Sequence, residues 1–136
     1  MKDKKVLIIP CSGIGKSLGS VGRDATYEVI ENLKPGKADT VCLASLTLGD
    51  EEAKQKVTSN YCISLDGCPK ECAKKNIEAL GKEPEKSYRT IDFFKDNPGK
   101  KPQGIVDIGE GGRALSKSIA KVISEDVDDL LENGRR

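Results

Sequence analysis

The sequence predicts an α/β fold, a three-layer sandwich around a mainly parallel four-stranded sheet. Short apolar runs alternate with amphipathic segments along the whole chain. The first run, Val6 to Pro10, passes straight into Gly-rich sequence, as a buried parallel strand does. The strongest helical periodicity, Leu115, Ile119, Val122, Ile123, Val127 and Leu130, closes the chain.

Taken in order, Val6–Pro10 is strand one. Val21, Ala25, Val29 and Leu33 then recur at helical spacing, with Ile30 beside them, and Pro35-Gly36 stops that helix. Thr40 to Ala44 reads as strand two. Asp50-Glu51-Glu52 opens a short helix, its acids at the positive end of the helix dipole. Tyr61 to Leu65 is strand three. A helix from Cys68 or Pro69 to about Leu80 is closed by Gly81. Ser87 to Phe93 is strand four, residues 95–104 form a polar loop, and a last helix runs over about 112–132. There is no internal repeat and no linker, so residues 1–136 are expected to be a single domain, long enough for one core.

The composition excludes several classes of function. Lys and Arg number 23 against 22 Asp and Glu, a net charge of +1, without the concentrated basic excess of a nucleic-acid-binding chain. No apolar run is long enough to span a bilayer, and the first one is too short for a signal peptide. The expectation is a cytoplasmic protein that uses no membrane. The charged surface and the last helix would suit a protein partner as well as solvent. There is no histidine, which removes Ser-His-Asp and Cys-His catalysis of the usual kind. Sulfur must carry the chemistry, and in a reducing compartment five cysteines read as metal ligands or reactive thiols rather than as a disulfide framework.

In parallel α/β folds, working groups collect beyond the carboxyl ends of the strands, where strand order reverses. A strand order 2-1-3-4 would bring Cys11, Cys42 and Cys68 to one edge of the sheet. Asp66-Gly67 is a turn signal and Pro69 suits a first helical position, which places Cys68 at the N-cap and Cys72 one turn later on the same face. At that spacing the Cβ atoms stand about 5–6 Å apart. Two thiolates on one zinc lie roughly 3.8 Å apart, each about 2.3 Å from the metal, which ordinary rotamers can reach. A disulfide fits a regular helical turn less well. The same position would lower the Cys68 pKa.

Cys11 opens Cys11-Ser12-Gly13-Ile14-Gly15-Lys16-Ser17, a turn whose backbone N–H groups can cradle an anion. It is not a P-loop, because the first glycine of that motif is replaced by Pro10. A tight turn around a buried cysteine is the other reading. Cys42 would lie roughly 10 Å below the tip of a strand reaching Ser45, and it joins a site only if the strand ends near it. Cys62 sits deep in strand three and reads as a small apolar core residue. Cys11, Cys42, Cys68 and Cys72 remain, the four ligands that tetrahedral Zn²⁺ takes. An Fe–S cluster is the lesser alternative, since these spacings match no common ferredoxin pattern. Asp66 could accept a hydrogen bond that orients a ligand, serve as a charge at the helix N-terminus, or replace a ligand. A redox or sulfur-transfer role for Cys68, Cys72 and Cys11 is the competing reading, and whether the chain is an enzyme stays open.

Asp66-Gly67-Cys68, continued by Pro69 and Cys72-Ala73, resembles the central motif of the DGC-domain family, and Pro10-Cys11-Ser12-Gly13-Ile14-Gly15 is similar to that family's N-terminal stretch. The resemblance covers the chain up to about residue 95. It implies zinc binding through four chelating cysteines, carried over here as Cys11, Cys42, Cys68 and Cys72, and implies no particular reaction.

Overall fold

The computed structural model describes residues 5–10, 17–41, 43–67, 71–96 and 108–133. Its strands are β1 (Val6–Pro10), β2 (Ala38–Asp39), β3 (Tyr61–Asp66) and β4 (Lys86–Arg89), and its helices are α1 (Ser17–Glu28), α2 (Leu43–Thr47), α3 (Glu51–Ser59), α4 (Cys72–Glu78), α5 (Thr90–Asp96) and α6 (Gly109–Asn133). The sheet is parallel throughout, in the order β2-β1-β3-β4. The predicted order is therefore the observed one.

Alternation along the two central strands builds a core on each face. Val6, Ile8, Ile63 and Leu65 face α1 and α6, where Val21, Ala25, Leu115, Ile119 and Ile123 cover them. Leu7, Ile9 and Cys62 face the opposite way, under Val41, Leu43, Leu46, Ala53, Val57, Ala73 and Ile77. β1 and β3 are buried on both sides because helices cover both faces, which is why their sequences read as continuous apolar runs.

Local chemistry sets the ends of the elements. α1 runs into a π-helical turn, Val29–Leu33, in which the Lys34 N–H donates to Val29 O at 2.7 Å. The chain then turns at Gly36, whose φ of 79° suits glycine. Asp50 caps α3 by accepting the Ala53 N–H. Gly22 lets α1 approach the sheet closely, since a Cβ there would stand 3.3 Å from Thr90 Oγ1 and 3.7 Å from Leu65.

Three boundaries differ from the sequence reading. Strand two was expected over Thr40–Ala44, but β2 is only Ala38–Asp39. Asp39 takes the Thr40 N–H on its own carboxylate, and the Thr40 hydroxyl donates to Ile8 O, so side chains end the pairing. Leu43 and Leu46, buried three residues apart, then favour a helical turn. Strand four was expected to reach Phe93, but it stops at Arg89 and α5 begins at Thr90. There Arg89 pairs with Asp92, and Phe93 packs on Tyr88 with ring centroids 5.7 Å apart. The helix expected from Cys68 or Pro69 begins at Cys72. Most of the predicted 95–104 loop lies outside the described residues.

Candidate functional site at the carboxyl edge of the sheet

Three chain segments leave the sheet on the same side from neighbouring strands. β1 ends at Pro10, which pairs in register with Leu65 of β3. Thr40 and Val41 follow β2 and are tied to β1 by the Thr40 hydroxyl bond to Ile8 O at 2.7 Å. β3 ends at Asp66, followed by the buried Gly67. Strand order reverses between β1 and β3, so this edge is the switch point of the sheet, the usual ligand position in such folds. Pro10, Val41 and Gly67 immediately precede Cys11, Cys42 and Cys68 in sequence.

Cys11, Ser12, Gly13, Gly15, Cys42 and Cys68 themselves lie outside the described residues. β2 ends at Asp39 and α2 begins at Leu43, so strand two does not run on to Ser45. Cys72 is described and exposed, the first residue of α4. Among the described residues, no group of three or more Cys, Asp or Glu side chains is placed to hold a metal ion.

The start of α4 corrects the local geometry read from sequence. Glu71 is left-handed at φ 54° and makes no side-chain capping bond. The N-cap of α4 is therefore Glu71, not Cys68, and the helix expected from Cys68 starts at Cys72; Cys68 itself lies outside the described residues. The capping carboxylate comes instead from Asp66, whose Oδ1 accepts the Ala73 N–H at 2.7 Å and Oδ2 the Lys74 N–H at 3.3 Å. Asp66 is 1% exposed. Burial raises its pKa, outweighing the lowering by these two N–H groups. Lys74 stands 4.0 Å from the Glu71 carboxylate.

Cys62 has the opposite character to Cys72. It is fully buried, and its thiol donates to Val57 O at 3.4 Å. Burial pushes its pKa up to about 12, with Lys82 opposing and Glu85 adding to the rise. A thiol so reluctant to ionise is a poor metal ligand, in keeping with its reading as a core residue.

One buried hydroxyl near this edge carried no sequence signal. Thr90 follows Arg89, the register partner of Asp66, and is fully buried. Its Oγ1 has no hydrogen-bond partner among the described residues. A lone threonine after a predicted strand has nothing in its pattern to mark it.

No described helix is long and apolar enough to cross a membrane. Comparison with curated proteins and with solved structures gives no match. The family model of the DGC domain matches residues 7–103, from β1 to beyond α5, with the sequence Asp66-Gly67-Cys68 inside the match. That span is well over half of the sequence, and the chain belongs to the DGC domain family.

Proposed function

We propose that this chain is a metal-binding protein that takes Zn²⁺ through the thiolates of Cys11, Cys42, Cys68 and Cys72 at the carboxyl edge of the sheet. The observation that carries the reading is the convergence of Pro10, Val41 and Gly67 on one side of adjacent strands. Each stands one residue before a candidate ligand, and Cys72 opens the helix that follows. The donor chemistry fits, since thiolates are preferred zinc ligands and four of them make a closed tetrahedral site. Such a site serves folding or regulation, and a set of three thiolates would leave a position for a water or a substrate. Free thiolates imply a reducing compartment, such as the cytoplasm.

Metal analysis of protein purified without added metal tests the reading. One zinc per chain, lost in the Cys68→Ala/Cys72→Ala double variant, supports it. Sub-stoichiometric zinc and iron that the double variant leaves unchanged removes it, and brown anaerobic protein points to an Fe–S cluster.

The exposure of Cys72 favours a second reading, thiol redox or sulfur-transfer chemistry without a resident metal. Stoichiometric zinc that protects Cys72 from alkylation speaks against it. A metal-free native chain whose Cys72 reacts faster than a model thiol at pH 7 speaks for it.

A further inference from the structure

We infer that Asp66 is a positioning residue of this site, fixing where the Cys72 thiol stands by tethering the first turn of α4, and is not itself a ligand. The metal in this inference is the one proposed above; the tether is described geometry. Asp66 is the last residue of a central strand, paired with Arg89 on one side, while the preceding Leu65 pairs with Pro10 on the other. It is therefore a fixed point. Both of its carboxylate oxygens are directed at backbone, one at the Ala73 N–H and one at the Lys74 N–H. These are two of the N–H groups that a helix start leaves without an intrahelical acceptor.

The usual source of such an acceptor is the residue just before the helix. Glu71 occupies that place, makes no capping bond and is left-handed. A non-glycine residue in that conformation is strained and persists only where its surroundings hold it. Asp66 supplies the hold from seven residues upstream of Ala73. The peptide that joins Cys72 to Ala73 is the one whose N–H Asp66 binds, so the carboxylate locates the Cys72 backbone directly.

The test compares Asp66→Ala, Asp66→Asn and Leu130→Ala, the last a core truncation on the opposite face of the sheet. Zn²⁺ affinity is read by competition with a chromophoric chelator, the ligand set by the Co²⁺ d–d band, whose position and intensity respond to oxygen as well as sulfur ligands, and Cys72 placement by its alkylation rate in metal-free folded protein. Asp66→Ala is expected to weaken Zn²⁺ about 10–100-fold, the usual effect of losing a group that orients a ligand. The Co²⁺ band per bound metal stays unchanged, and Cys72 alkylation shifts several-fold. Asp66→Asn, which keeps one acceptor oxygen, falls between Asp66→Ala and wild type, and Leu130→Ala matches wild type in all three. Unchanged affinity and alkylation in Asp66→Ala overturns the inference, as does a Co²⁺ band that reports a lost ligand. A wild-type chain that takes up neither metal removes the proposed metal site instead, and the alkylation arm alone then decides whether Asp66 places Cys72.

Discussion

Cys62 and Cys72 carry the same functional group into opposite surroundings. Cys62 lies under α3 with its thiol hydrogen on Val57 O, whereas Cys72 is open to solvent. Iodoacetamide at pH 8 is expected to label Cys72 in the native metal-free protein and Cys62 only on unfolding; equal labelling would contradict the burial. The raised Cys62 pKa has a sign for stability as well. Its contribution is complete below the ordinary thiol value of 9.0 and is lost as pH rises toward about 12, because the unfolded chain ionises first. Asp39 works the other way. Burial opposes its ionisation, but the Lys56 ammonium at 2.7 Å and the Thr40 N–H outweigh that and hold its pKa below 3.8. Its contribution is present above 3.8 and is lost as pH falls through the lower folded value. Asp39→Asn should therefore lose less stability than wild type between pH 5 and pH 2 in urea titrations. Parallel losses would show that Asp39 is not held.

At the scale of elements, the edge of β4 shows a polar group packed without a partner among the described residues. Thr90→Val keeps the shape and removes a buried hydroxyl that has no acceptor among the described residues. The variant should be more stable by about 1 kcal/mol in chemical denaturation. A loss of that size would mean that the hydroxyl is hydrogen-bonded in solution. Elements whose signal is periodicity were legible: β1, β3, the body of α1 and all of α6 stand where their apolar spacing put them. β2, the start of α4 and the end of β4 were not, because each is set by a polar contact between residues. Thr40 reaches Ile8 O, and Asp66 reaches Ala73 from seven positions away. Arg89 with Asp92, and Tyr88 with Phe93, turn an aromatic run with strand propensity into a helix. The site was legible as a set of residue types, and Asp66 was legible as important. Its task was not, since a carboxylate after a strand serves a metal, a helix or a turn equally well until the helix start is located.

At the scale of the whole molecule, strand order brings remote stretches of chain together. β1 lies between β2 and β3 and all three run parallel, so their carboxyl ends point to one edge of the sheet although the sequence separates them by tens of residues. Layers of helices on both faces bury β1 and β3 and leave that edge as the place where polar groups collect. The expected order, 2-1-3-4, would gather three cysteines at one edge, and the sheet has that order. The central claim is that these cysteines meet there around one metal. A crystal structure with anomalous data collected on both sides of the zinc absorption edge tests it most directly. The account predicts one zinc peak beyond the carboxyl ends of β1 and β3, with the sulfurs of Cys11, Cys42, Cys68 and Cys72 each about 2.3 Å from it. No peak at that edge, with Cys11 remote from Cys72, would contradict it.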